Sequence, residues 1–149
     1  LDIACNAGMM MAVVLAEGAR IGLGWDLPAI ASQAKRLQLT CGNTRLAFFP
    51  AQLHNTYPLR DDIPIWLRHH LQGAVVLYLA AWRHVGLIHD LRHIPWRAVV
   101  FEGHQEDTEQ DTQHNIEEIQ ALWQCALAGR TVVIDGSSGA RPVLLFVRK

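Results

Sequence analysis

Two stretches of this chain are apolar without alternation, Ala74-Val75-Val76-Leu77-Tyr78-Leu79 and Ala98-Val99-Val100-Phe101. A strand with one face in water alternates apolar and polar residues, whereas a strand covered on both faces reads as a continuous apolar run. These two runs therefore call for a sheet with helices packed over it. The rest of the chain supplies the helices and the remaining strands.

Leu1 to Cys5 reads as the end of a first strand and Asn6-Ala7-Gly8 as a tight turn. Met9 to Glu17 is a helix of strong formers, its methionines packing in the core, and Gly18 ends it. Arg20 to Trp25 is a second short strand, weakened by Gly22 and Gly24 and stopped at Asp26. Pro28 suits the first turn of a helix that runs to Leu39, with Ile30, Ala34 and Leu37 on one face. After the turn Cys41-Gly42-Asn43-Thr44, Arg45 to Phe49 is a third strand stopped by Pro50. Gln52 to Pro64 reads as a loop, and Val85 to His93 as a short helix.

The acidic stretch Glu106 to Asp111 leads into a helix expected to begin near Asn115, where Asn115-x-x-Glu118 has the form of a capping box. Ile116, Ile119, Leu122, Trp123, Ala126 and Leu127 fall at helical spacing, and Gly129 would end the element. Thr131 to Ile134 and Val143 to Val147 flank Asp135-Gly136-Ser137-Ser138-Gly139, a hairpin signal. The order predicts an α/β fold: a doubly wound, mostly parallel seven-stranded sheet with an antiparallel C-terminal strand.

At 149 residues the chain has the length of one domain, at about 150 residues per domain. Its 13 basic and 14 acidic side chains and a pI near 6.8 argue against a polybasic nucleic-acid or membrane-surface binder. Cys5, Cys41 and Cys125 are far apart and odd in number, which fits free thiols in a reducing compartment. The apolar stretches Met9 to Ala16 and Ala74 to Trp82 are shorter than the ~18 residues of a membrane span. No signal-peptide pattern is visible, and the expected location is cytoplasmic.

A doubly wound sheet binds its ligand beyond the carboxyl ends of its strands. The first strand ends Asp2-x-Ala4-x-Asn6-x-Gly8, where small residues allow close backbone approach and a helix N-terminus follows. About 20 residues on, Asp26 is placed to accept both hydroxyls of a ribose. An adenosine-containing ligand is implied.

At this point the sequence resembles the class I S-adenosylmethionine-dependent methyltransferases, a Rossmann-like family. Leu1-Asp2-Ile3-Ala4-Cys5-Asn6-Ala7-Gly8 is similar to their first motif, in the subgroup that reads Cys-Asn-x-Gly. Gly22-Leu23-Gly24-Trp25-Asp26 resembles the second-strand motif with its ribose-binding acid, and Gly73 to His84 the fourth-strand region. Phe101-Glu102-Gly103-His104 is similar to the fifth-strand Glu-Gly-His of several small-molecule methyltransferases. Gly139-Ala140-Arg141-Pro142-Val143 resembles the turn into the reversed last strand.

The resemblance implies that Asp2, Ala4, Asn6 and Gly8 line the methionine end of S-adenosylmethionine and that Asp26 holds the ribose. Trp25 or Leu27 would lie against the adenine, and Gln52 stands near where the family often has an adenine-binding Asp. Ala4 replaces the usual first glycine. His84, at the fourth-strand end, is the leading candidate for acceptor contact or proton removal, followed by His104 and Glu102. On the family pattern the helices that usually precede the first strand are absent. A second copy of the chain or a further segment is then expected to complete the site.

The expected chemistry is in-line displacement at an activated methyl on a small-molecule acceptor, where positioning and exclusion of water contribute most. Ala80-Ala81-Trp82-Arg83-His84 stands in place of an Asn-Pro-Pro-Tyr, against amino-methylation of DNA, and no Pro-Cys pair exists for a cytosine C5 mechanism. His89 and His93 at i, i+4 with Asp90 between them lack a His-Glu-x-x-His arrangement, so a solvated helix face is expected and no metal. Two other readings stay open. One is a catalytically silent methyltransferase-like domain that binds cofactor or a partner. The other is an NAD-type dehydrogenase, disfavoured by the missing Gly-x-Gly-x-x-Gly.

Overall fold

The structure is a computed structural model, and it describes residues 1–50, 72–81, 96–104, 106–131 and 140–149. The loop expected at Gln52–Pro64 and the short helix expected at Val85–His93 lie outside the described residues. The backbone divides into two compact units, Leu1–Tyr57 and Pro58–Lys149. Seven strands are described in all, mostly parallel within the units and antiparallel at the C-terminal end.

The first unit contains β1 (Asp2–Ile3), α1 (Met9–Ala16), β2 (Gly22–Asp26), α2 (Pro28–Thr40) and β3 (Leu46–Pro50). β1 and β3 flank β2, both parallel to it. The glycines that weaken β2 as an isolated strand are what its neighbours require. A Cβ built on Gly24 would stand 2.6 Å from Cys5 Sγ, 2.6 Å from Met11 Cε and 2.8 Å from Phe48 Cδ1. With hydrogen there instead, α1 settles onto the sheet. Cys5, Met11, Leu15, Ala34, Leu46 and Phe48 close into one apolar cluster.

α1 is apolar all round, yet it buries only Met11 and Leu15, one turn apart. Met9 and Met10 are 74% and 42% exposed, so of the three methionines only Met11 packs in the core. The helix ends as expected: Gly18 takes φ 101, and Ala19 N–H reaches back to Val14 O at 2.9 Å. α2 starts on Pro28 and buries Ala31 and Ala34. Leu37, expected on that face, is 52% exposed. Small side chains let α2 lie close to the strands, which rotates the larger residues outward.

The second unit contains β4 (Val75–Leu79), β5 (Ala98–Glu102), α3 (Glu109–Gln120), β6 (Trp123–Arg130) and β7 (Pro142–Arg148). β4 and β5 are parallel, and β7 lies antiparallel between β5 and β6. Val76, Leu77 and Tyr78 are consecutive and all buried, so β4 is covered on both faces as its sequence predicts.

The helix before the hairpin differs from its expected bounds at both ends. It starts at Glu109, because Thr108 Oγ1 accepts the Asp111 N–H while the Asp111 carboxylate accepts the Thr108 N–H. This is a complete capping box whose cap lies seven residues before Asn115, and Asn115 itself is buried inside the helix. At the other end, Trp123 to Arg130 is a strand paired along β7, with a register shift between Cys125 and Leu127. The apolar spacing from Ile116 to Leu127 is thus split between a helix and a strand. Ladder bonds offered by β7 outweigh a helical spacing worth only tenths of a kcal/mol per residue. The closing hairpin is present, with β6 ending at Arg130; most of the expected strand Thr131–Ile134 lies outside the described residues.

Gly24→Ala is expected to destabilise the protein by about 2 kcal/mol, since its methyl meets three packed side chains. Chemical denaturation checks this, and an unchanged midpoint would contradict the packing described.

Candidate functional site

The carboxyl ends of β1 and β2 carry the first group of candidate side chains. Between β1 and α1 the backbone turns through Ala4 (φ 56), Asn6 (φ 48) and Gly8 (φ 77), all left-handed. Glycine adopts this region freely and asparagine tolerates it, whereas an alanine costs about 1–2 kcal/mol there. Ala4 is therefore a strained residue held by its surroundings. Cys5 N–H bonds to Trp25 O at 3.1 Å and Gly8 N–H to Cys5 O at 2.8 Å. Gly8 has a second reason to be glycine: a Cβ there would stand 2.6 Å from Phe48 Cζ.

Asp26 joins this loop to the end of β2. Its Oδ2 accepts the Asn6 N–H at 2.8 Å and its Oδ1 the Leu27 N–H at 2.7 Å. The residue is 8% exposed. A carboxylate offers about four lone-pair sites, so each oxygen retains one acceptor position after these bonds. At the neighbouring helix N-terminus, Gly8 makes no side-chain cap and the first turn carries no acid. The positive end of α1 is therefore not neutralised by its own first turn.

Asp2 is 3% exposed. Burial pushes its pKa up to about 6; the chain's amino group opposes the shift and Asp26 adds to it. Burial likewise pushes the Cys5 thiol up to about 12, with the Asp2 and Asp26 charges adding, so Cys5 is a packing residue and no nucleophile. Of the pair expected against an adenine, Trp25 is 2% exposed and Leu27 is 49% exposed. Gln52 and His84 lie outside the described residues.

The second unit brings Glu102 and His104 to the carboxyl end of β5. Glu102 Oε1 lies 2.7 Å from Arg141 Nη2, a pairing that sequence reasoning missed because the partners are far apart in the chain. His104 Nδ1 accepts the Glu106 N–H at 3.1 Å, and its backbone N–H goes to Asp107 Oδ2 at 3.0 Å. A neutral ring bonded in this way carries its proton on Nε2. Ala80, just past β4, is also left-handed at φ 52, and its N–H bonds to Glu102 O at 3.0 Å.

Among the described residues no group of three or more His, Cys, Asp or Glu is placed to hold a metal ion. The His89–His93 pair lies outside them. No described helix is long and apolar enough to cross a membrane, and all three cysteines are free thiols.

This geometry defines a class of fold. No family model and no curated protein matches the sequence, but solved structures do. A SAM dependent methyltransferase from Aquifex aeolicus is similar over 99% of this chain and 80% of its own, at TM-score 0.68 and 7% identity. Magnesium protoporphyrin IX methyltransferase (ChlM) from Synechocystis PCC 6803, solved with bound SAM, is similar over 99% of this chain and 68% of its own. Its TM-score is 0.65 and its identity 16%. The bifunctional kinase-methyltransferase WbdD matches 98% of this chain at TM-score 0.62 and 16% identity, and this chain spans 34% of it. The chain has the fold of the class I S-adenosylmethionine-dependent methyltransferases.

Two stability tests follow from the strained loop and the buried acid. Ala4→Gly is expected to stabilise the protein by about 1 kcal/mol, read by thermal unfolding, because glycine relieves the left-handed strain. Asp2 binds its proton more tightly folded than unfolded, so its contribution is full below pH 4 and is lost as pH rises through about 6. Asp2→Asn should match the wild type near pH 4 and exceed it by on the order of 2–3 kcal/mol above pH 7. Equal stability at both pH values would contradict the burial of this carboxyl.

Proposed function

We propose that this chain binds S-adenosylmethionine and catalyses methyl transfer to a small-molecule acceptor by in-line displacement. The observation that carries the reading is Asp26, buried and bonded to the Asn6 and Leu27 amides beside the uncapped start of α1. The fit of the cofactor is a matter of donor and acceptor chemistry. The spare acceptor positions of Asp26 suit the two hydroxyls of a ribose. The free first-turn amides of α1 suit a carboxylate. The small residues Ala4 and Gly8 in the left-handed loop suit close approach of a ligand to the backbone.

When bound, the cofactor supplies a methyl already activated by its sulfonium, so the protein needs little covalent chemistry. In this reading Asp26 fixes the ribose, Leu27 covers the adenine, and Asp2, Ala4, Asn6 and Gly8 position the methionine end. Most of the rate enhancement then comes from orientation and from exclusion of water. His84, Glu102 and His104 are the acceptor-side candidates. The three free thiols support a reducing, cytoplasmic setting.

The silent, cofactor-binding reading has one specific observation behind it, the strained Ala4 at the position where the family has glycine. Titration calorimetry with S-adenosylmethionine, S-adenosylhomocysteine and NAD separates the readings. The expected result is binding of both sulfur nucleosides and not of NAD. Asp26→Ala is expected to weaken S-adenosylmethionine binding about tenfold or more, about 1.4 kcal/mol. An unchanged dissociation constant in that variant would remove the ribose assignment.

A further inference from the structure

Glu102 is fixed from three sides at the carboxyl end of β5. Its carbonyl accepts the Ala80 N–H at 3.0 Å, and the Gly103 N–H after it donates to Pro142 O at 3.1 Å. A Cβ on Gly103 would stand 3.2 Å from the Pro142 ring, so glycine lets the ends of β5 and β7 approach closely. Arg141, the residue before β7, has both backbone groups held by Thr131. Its N–H goes to Thr131 Oγ1 at 2.9 Å, and its carbonyl accepts the Thr131 N–H at 2.9 Å. From that anchored position its Nη2 reaches Glu102 Oε1 at 2.7 Å, with the two side chains 30% and 14% exposed.

A charge-assisted bond this short holds the carboxylate in one orientation. A carboxylate offers about four lone-pair sites, so Glu102 keeps acceptor capacity beyond its bond to Arg141. His104 is not equivalent to it, because its Nδ1 lone pair is spent on the Glu106 N–H. We propose that Arg141 is a positioning residue that sets Glu102 to receive the O–H or N–H of the methyl acceptor, an inference that rests on the methyl-transfer function proposed above. The acceptor class is therefore hydroxyl or amine compounds. Acceptors that offer only an ionised carboxylate have no O–H or N–H to donate to Glu102.

The test compares wild type, R141M, R141K and E102Q on a panel of phenols, alcohols, primary amines and simple carboxylates. S-adenosylhomocysteine release measures turnover, and calorimetry measures S-adenosylmethionine affinity. A third readout is independent of turnover: the Glu102 carboxyl 13C resonance, followed as a turned-over hydroxyl or amine is added without cofactor. Wild type is expected to methylate a hydroxyl or amine. R141M and E102Q should lose about tenfold or more in acceptor kcat/KM, mainly through KM, with cofactor affinity within about twofold. R141K should recover most of that loss, and the 13C shift should be present in wild type and absent in R141M. If R141M does not fold, E102Q and R141K carry the same comparison. Unchanged acceptor kinetics in both R141M and E102Q, or an equal loss of cofactor affinity, would overturn the proposal. So would cofactor binding with turnover of carboxylates alone or of no panel member, leaving the cofactor reading intact. Failure of wild type to bind S-adenosylmethionine overturns the methyl-transfer reading itself, and this inference with it.

Discussion

The Asp26 carboxylate, shared between the amides of Asn6 and Leu27, is the interaction on which the first unit's chemistry depends. One oxygen holds the turn out of β1 and the other holds the turn into α2. An anion buried at 8% exposure is tolerable only if its oxygens are bonded, and the two amides meet that need. The same bonds keep left-handed Ala4 and Asn6 in place, since the loop cannot relax without giving up an amide contact to a buried charge. Strain at Ala4 and order at Asp26 are two sides of one arrangement.

That arrangement rests in turn on the glycines of β2. Met11, Cys5 and Phe48 crowd the space over Gly24, and Phe48 also lies under Gly8. The N-terminus of α1 is thereby seated against the sheet beside the loop whose amides it continues. Burial of Asp2 and Cys5 follows from this close packing, and it explains why both are pushed toward their protonated forms. Apolar contact and polar function thus depend on the same few missing side-chain atoms. In the second unit, the Arg141–Glu102 pair and the Gly103–Pro142 contact organise the end of β5.

Much of this was legible in the residues. β5 and the parallel core strand β4 showed as unbroken apolar runs, and α1 and α2 were marked by Gly18 and Pro28 at their ends. Asp26 and the small-residue loop stood out as site candidates because their spacing matched a ligand-binding turn. The misreadings lie where local pattern and tertiary pairing disagree. Trp123 to Leu127 has helical spacing, but β7 offers a free edge, and the segment pairs with it. Asn115 looked like a cap until Thr108 and Asp111 completed one earlier. Leu37 looked like core, but Ala31 and Ala34 bring α2 closer to the sheet than a leucine face would allow.

By itself, the sequence determined the periodicities, the turn residues and the acids at strand ends, because these are local properties that a few neighbouring residues specify. Only the tertiary structure decided which amides Asp26 holds, that Glu102 meets Arg141, that Trp25 is core while Leu27 is exposed, and that β6 is a strand. Each of these joins residues distant in the chain or turns on burial. Such contacts form only once strands have paired and the glycines have admitted their neighbours, so no local window of sequence contains them.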